Sequence, residues 1–325
     1  MARRLFMVLS PRSLPYATLA LSSLFRNAQE PLALTLITDS DAEKQILIEA
    51  LNKLAAAEDR YTTSIVLGKS DVDQREVIQF AKYENLRSFR TGHPCWRKIT
   101  DPILLSADRQ EMIVLDPDIY FPNKFRFDPT PQAGLRLMWQ KPSCLLPPEV
   151  VKAAMDAGIA LAHHTDIGVA QWRMPVDLEW LDWLIGKLGS AALPRSMHVE
   201  SIVWAALAMR MGGGYLDPRT WLCWHRSQYK RVLLRLGVSG PSLLKSEPFS
   251  DIKCFHAGGQ AKWWLLEARK RGYLDRGGKL DRDGAWFERS KSLPFTELAP
   301  KDFALLQRNR RWLRKAGYYS LFPQQ

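Results

Sequence analysis

Two aspartates one residue apart, Asp116 and Asp118, follow a short unbroken apolar run from Met112 to Leu115. Hard carboxylate oxygens held close together and kept partly hydrated are what a magnesium or manganese ion carrying a diphosphate requires. Asp116-Pro117-Asp118 is equally ordinary turn chemistry, since aspartate favours turn starts and proline presets φ. Between these readings, the surroundings matter. The run Met112 to Leu115 predicts a strand covered on both faces, and Pro117 cannot donate to a continuing ladder. The acids are therefore expected at the carboxyl end of a buried strand, the edge at which open α/β sheets bind ligands.

The rest of the chain must position that edge. Its 325 residues, 46% hydrophobic and 25% charged, have globular composition and suffice for one large α/β domain or two modest ones. No run approaches the length of a membrane-spanning helix. Met1 to Arg4 followed by Leu5 to Leu9 has the look of a signal peptide. The apolar stretch is short, however, and Ser10-Pro11-Arg12 breaks it without a small-residue cleavage site, so it reads as a first strand. Cys95, Cys144, Cys223 and Cys254 form no Cys-x-x-Cys pair, which predicts free thiols in a reducing cytoplasm rather than a zinc cluster or disulfide framework. The net charge of +12 gathers toward the carboxyl end, at Arg269-Lys270-Arg271 and at Arg308, Arg310, Arg311, Arg314 and Lys315. Such a surface suits nucleic acid, an anionic membrane face, an anionic substrate, or plain solvation.

In order, strands are expected at Leu5 to Leu9, Leu32 to Thr38 and Thr62 to Leu67. A helix from Tyr16 to Phe25 is capped by Ser13, and another runs from Asp41, its cap, to Leu54. This alternation predicts parallel pairing with right-handed crossovers. Asp71 to Arg90 reads as less regular. A helix follows His93 to Lys98 and runs to Leu105, just ahead of the acidic strand. A proline-rich connector from Asp128 to Pro148 holds one strand at Leu135 to Trp139. Then come a helix at Val150 to Ala157, strand pieces at Ile159 to His164 and Ile167 to Trp172, and a helix at Leu178 to Leu188. A further helix, Met197 to Met209, is led by His198 and Glu200 and ends at Gly212-Gly213-Gly214. Phe255 to Trp264 is a strand end with a glycine loop, and Phe303 to Gly317 is a basic helix.

Four of these segments, in this order, resemble a GT-A-type nucleotide-sugar glycosyltransferase of the family-8, glycogenin- and lipopolysaccharide-galactosyltransferase-like pattern. Ser10 to Ser40 resembles its first strand, tyrosine-led helix and second strand ending in aspartate. Trp96-Arg97-Lys98 ahead of Val114-Leu115-Asp116-Pro117-Asp118 resembles its basic residue upstream of Leu-Asp-x-Asp. Thr165-Asp166-Ile167-Gly168-Val169 resembles Asn-x-Gly-Val, and His256 to Trp263 resembles His-x-x-Gly-x-x-Lys-Pro-Trp. The resemblance spans roughly residues 1–265 and implies a mixed, mostly parallel central sheet flanked by helices. Residues 1–125 would be the nucleotide-binding half, 126–265 the acceptor and donor-sugar half, and 266–325 a basic helical extension.

It further implies a metal-dependent transfer from a nucleoside-diphosphate sugar, UDP-linked, to a glycan or lipid-linked acceptor. Asp116, Asp118 and His256 would hold the cation, and imidazole beside carboxylates suits manganese better than magnesium. Gly258 and Gly259 would bring backbone N–H groups to the diphosphate, Lys262 would neutralise it, and Arg97 or Lys98 would touch phosphate or donor sugar. Ser10, Tyr16 and Asp39 would line the nucleotide. Asp166 and Glu200 would meet donor-sugar hydroxyls, with Glu200 or His198 the acceptor base if the reaction inverts. The basic carboxyl end would lie against an anionic membrane at its inner face.

The sequence departs from the pattern at named places. Ser10-Pro11-Arg12 follows the first strand, leaving Asp39 as the early acid. Asp166 replaces an asparagine, Glu200-Ser201 an Asp-Gln pair, Phe255 precedes rather than follows His256, and Lys262-Trp263 lacks the intervening proline. Metal and diphosphate binding thus carry over better than base, sugar or stereochemistry. Other readings are a sugar-nucleotide pyrophosphorylase, disfavoured by the missing glycine-rich opening loop, and a catalytically inactive relative. A nucleic-acid binder would use Trp221, Trp224, His225, Arg226 and Arg231 as an aromatic-basic patch.

Overall fold

A computed structural model describes residues 2–57, 62–225, 227–274 and 291–318. Three six-residue strands, β1 (Arg3–Val8), β2 (Leu32–Ile37) and β3 (Thr62–Leu67), pair parallel in register, each ending in an apolar run. Helices α1 (Leu14–Asn27) and α2 (Asp41–Ala57) cross between them. The two expected caps act elsewhere. Ser13 makes no cap bond and its Oγ instead accepts from Tyr16 Oη at 2.7 Å, while Asp41 Oδ1 accepts from the Ser70 amide and hydroxyl.

The stretch read as irregular contains α3 (Lys69–Gln79) and α4 (Glu84–Gly92). Their apolar periodicity is obscured because polar side chains turn inward. Arg90 is buried and donates to Asp101 Oδ1 at 2.7 Å, Asp73 Oδ1 at 2.6 Å and Glu76 Oε2 at 2.6 Å. Removing one member of a buried charge cluster leaves the others uncompensated, at a cost of about 3–5 kcal/mol. Arg90→Met is therefore expected to lower the urea midpoint by that order, and a midpoint equal to wild type would refute the role.

After α5 (Arg97–Leu104) comes β4 (Glu111–Leu115), parallel to β1 on the side away from β2. Its residues alternate between two cores: Met112 and Val114 pack under α3 to α5, Ile113 and Leu115 under α1 and α2. The second half adds β5 (Ile119–Tyr120), β6 (Leu135–Trp139), α6 (Pro148–Asp156), β7 (Thr165–Arg173), α7 (Leu178–Leu188), α8 (Val199–Met211) and β8 (Gly213–Tyr215). β7 is one strand, antiparallel to β4 and β6, where two pieces were expected. Ile159 to His164 lies outside the sheet. Its amides bond to Ala205 O and Thr296 O instead, so the run is buried against α8 and the later chain.

Beyond β9 (Trp221–Cys223), α9 (Gln228–Arg235), α10 (Gly240–Leu244), β10 (Cys254–His256) and α11 (Ala261–Lys270) follow β11 (Leu293–Pro294) and α12 (Pro300–Lys315). The central sheet is mixed and mostly parallel, in the order β11-β8-β6-β7-β4-β1-β2-β3. A three-stranded sheet, β5-β10-β9, lies at the carboxyl ends of its strands. The carboxyl-terminal segment joins the body: β11 pairs with β8 and Leu298 is buried in the main core. Among the described residues no helix is long and apolar enough to cross a membrane.

Candidate functional site

Asp116 directly follows β4 and its amide donates to Gly168 O of β7 at 2.9 Å, so the acids emerge where the ladder stops. The turn through Pro117 starts β5, which pairs antiparallel with β10, setting Ile119 opposite His256. The Ala257 amide closes that pair on Asp118 O at 3.0 Å. Backbone pairing therefore brings an imidazole from far downstream onto the acidic turn. His256 Nε2 lies 3.3 Å from Asp118 Oδ1 and 3.7 Å from Asp116 Oδ2.

Asp166 fixes the ring. Its Oδ1 sits 2.8 Å from His256 Nδ1 and accepts from the Gly168 amide at 3.0 Å, and Cys223 Sγ donates to its Oδ2 at 3.4 Å. With Nδ1 held there, Nε2 must face the acids. Burial alone lowers an imidazole's affinity for a proton, but Asp166 and Asp118 outweigh it and raise His256 well above its ordinary value. Burial likewise pushes Asp118 up, and His256 and Lys262 overcome it and hold the carboxyl below the ordinary range.

Gly168 is required by this arrangement, since a Cβ there would stand 2.6 Å from His256 Nδ1. Gly168→Ala is expected to tilt the ring and weaken manganese binding by about 10–100-fold, the usual cost of disturbing a ligand's support. Calorimetric titration checks this, with the far-ultraviolet spectrum unchanged, and an unaltered manganese affinity would count against the ring-positioning role.

The donor set fits a divalent cation. Asp116, Asp118 and His256 offer two carboxylates and an imidazole whose ligand atoms lie within 4.8 Å of one another. Asp118 Oδ1 is buried and makes no well-formed hydrogen bond, its neighbour being His256 Nε2 at 3.3 Å, an arrangement a shared cation would complete. Two lysines flank the acids. Lys262 Nζ lies 3.6 Å from Asp118 Oδ2 and 4.8 Å over the Tyr16 ring. Lys98 Nζ is 2.6 Å from both Asp116 Oδ1 and Glu200 Oε1. Burial pushes Glu200 up to about 8, with Lys98 pulling down and Asp116 pushing up.

These groups open into a cleft of about 550 Å³, within the range of small-molecule sites. Ser10, Tyr16, Asp39, His198, Glu200, Gly258, Gly259 and Lys262 all line it. Gly259 has φ +65°, a left-handed conformation that favours glycine. The chain brings together all the residues singled out from sequence except Arg97. That side chain does not line the cleft: it is buried, donates to Thr38 O at 3.3 Å and approaches Asp73 and Asp101. Lys98, one residue on, faces the acids because one step along the helix turns its side chain by about 100°.

Sequence reasoning missed Cys223, Gln140, Cys144 and Trp264 as cleft residues. Cys223 carries no spacing signal; the parallel register of β9 on β10 sets it beside His256. Of the aromatic-basic patch weighed as a nucleic-acid surface, both tryptophans are turned inward. Trp221 is buried with its indole donating to Asp128 Oδ2 at 3.0 Å, and Trp224 is buried beneath Lys230. Arg226 lies outside the described residues. The four cysteines are free thiols.

No family model and no curated protein matches the chain. Among solved structures it is similar to mouse xyloside xylosyltransferase 1 in its apo form, at 14% identity and a TM-score of 0.49, over 80% of this chain and 99% of that one. It is similar also to the galactosyltransferase LgtC in complex with donor and acceptor sugar analogs, at 11% identity and 0.44, over 84% and 95%. A third is the glycosyltransferase GlyE of Streptococcus pneumoniae, at 13% identity and 0.44, over 91% and 65%. At these identities the likeness is one of chain path, and the chemistry is read from the cleft's own residues.

Proposed function

We propose that this chain is a metal-dependent glycosyltransferase that takes a nucleoside-diphosphate sugar, UDP-linked, and delivers the sugar to a hydroxyl of a glycan or lipid-linked acceptor. One observation carries the reading: Asp116, Asp118 and His256 converge at the floor of a ligand-sized cleft, with a buried Asp118 oxygen that makes no well-formed hydrogen bond. The glycosyltransferase motif order points the same way.

Asp116, Asp118 and His256 would hold manganese or magnesium, which would supply positive charge to the diphosphate and its leaving group. Lys262 supplies a second positive charge at the cleft's edge, and the backbone of Gly258 and Gly259 offers N–H groups to the phosphates. Ser10, Tyr16 and Asp39 line the nucleotide side. The acceptor oxygen bonds to the anomeric carbon as that carbon's bond to the diphosphate oxygen breaks; the electron pair leaves on the diphosphate and the hydroxyl proton is released. Asp166 serves by holding His256, since both its oxygens face the imidazole, the Gly168 amide and Cys223. Glu200 and His198 stand on the wall toward the acceptor, and His198 is the exposed one. Retention of anomeric configuration enters only through the resemblance. α12, with Arg308, Arg310, Arg311 and Arg314 and an exposed Trp312, offers a basic face to an anionic inner membrane surface from the cytoplasm.

The test is a panel of sugar nucleotides incubated with the protein and manganese, because transferases slowly hydrolyse their own donor. One donor should be hydrolysed, and chelation should stop it. Equal rates with and without chelator refute the metal-dependent reading.

A further inference from the structure

Beside the cleft lies a second cavity of about 590 Å³. The ends of β6 and β9, the turn at Pro218 and the start of α9 enclose it. Trp139, Pro218, Leu222 and Lys141 belong to this cavity alone. Gln140, Pro142, Cys223, His225 and Arg231 line both spaces, so the two open into each other across a shared rim.

The two walls differ in chemistry. The metal cleft gathers Asp39, Asp116, Asp118, Asp166 and Glu200, whereas among the described residues none that lines the second cavity is a carboxylate. Its surface is chiefly apolar, from an indole, two prolines and a leucine, and its ionisable residues are Lys141, His225 and Arg231. Burial, with Lys230 and Arg231 nearby, lowers the His225 imidazole, so the positive charge rests on Lys141 and Arg231. A neutral sugar is recognised by acids and amides that take its hydroxyls, and this wall offers one amide, Gln140.

Resting on the transferase reading above, we infer that this cavity holds the acceptor, and that the acceptor is an amphipathic anion: a hydroxyl-bearing head with a carboxylate or phosphate, joined to an alkyl or aryl body. The apolar body fills the space between Trp139, Pro218 and Leu222, the anion meets Lys141 and Arg231, and the hydroxyl reaches across the rim at Cys223 toward the metal cleft.

Three probes measure the chemistry by calorimetry: octyl β-D-glucuronide, neutral octyl β-D-glucoside, and tail-less glucuronate. The glucuronide is expected to bind at least about tenfold more tightly than either partner, which needs about 1.4 kcal/mol from each of the two features. Leu222→Glu places a carboxylate in the wall and should erase the preference for the charged head. Should that variant fail to fold, Lys141→Gln, at an exposed position, should reduce it several-fold. Equal binding of the charged and neutral octyl probes, or no binding of any, overturns the inference. Manganese-dependent stabilisation by UDP is read in the same wild-type sample. If it is present without glucuronide binding, the acceptor assignment fails and the transferase reading stands; glucuronide binding without it leaves a site for amphipathic anions that is not an acceptor site. Repeating the measurement with a hexadecyl glucuronide in phosphatidylcholine vesicles separates the sources: co-flotation stronger than with plain vesicles marks a lipid-borne acceptor, and its absence a soluble one.

Discussion

Asp118→Ala is expected to abolish the thermal stabilisation that UDP confers in the presence of manganese, and donor hydrolysis with it. Wild-type protein at a hundredfold excess of ligand over Kd gains about 2.7 kcal/mol by mass action, enough for a clear rise in Tm that a chelator should remove. The variant should show no manganese-dependent rise. Asp118 is buried, its carboxyl is held ionised by His256 and Lys262 against the cost of burial, and its Oδ1 makes no well-formed hydrogen bond. Alanine leaves His256 and an Asp116 whose Oδ1 is already engaged by Lys98 at 2.6 Å. Two ligands, one of them shared with an ammonium, hold a hard cation poorly. The fold should survive, because Lys262 is partly exposed and can turn to water. If the variant gains as much from UDP and manganese as wild type, the metal assignment is wrong.

The second large effect is expected at Lys98. Its ammonium is buried and bridges the buried Glu200 and the half-buried Asp116. Burial disfavours the charge, but the two acids outweigh it and hold Lys98 well above its ordinary value. Lys98→Met removes a buried cation that contacts both acids, and truncating a buried ion pair costs about 3–5 kcal/mol. Urea unfolding measures it. A loss below about 1 kcal/mol would place Lys98 among ordinary surface ion pairs.

The acids of this triad also predict a pH profile. Glu200 has a folded-state value of about 8 against an ordinary 4.5, so protonation favours the folded state. Its contribution to stability is complete below about 4.5 and is lost as the pH rises through about 8. Glu200→Gln, which resembles the protonated form, should flatten that decline and be the more stable protein on the alkaline side. Parallel urea midpoints for variant and wild type at every pH would sink the assignment.

Much of the scaffold was legible because local pattern and tertiary role agree. β1 to β3 each end in an apolar, partly β-branched run that stops at turn or capping residues. The run Met112 to Leu115, unbroken by polar residues, is buried on both faces as read. The helices α3 and α4 were not legible, because their inward faces carry Glu76 and Arg90, which pay for burial only through each other and through Asp73 and Asp101. Lys98 and Arg97 are adjacent in sequence, and either suits contact with phosphate or donor sugar. Their partners, Asp116 and Glu200 for one and Thr38, Asp73 and Asp101 for the other, come from separate stretches of chain.

The amino-acid sequence by itself determined that a buried strand would end in two acids, since an apolar run followed by Asp-Pro-Asp leaves the backbone no other economical course. It determined too that a histidine and a glycine loop would close a later strand. Only the tertiary structure decided that these meet. The antiparallel pairing of β5 with β10 sets His256 against the acids, the absence of a Cβ at Gly168 makes room for its ring, and Asp166 turns Nε2 toward Asp118. Register between distant strands is set by the packing of whole faces, which no local spacing encodes.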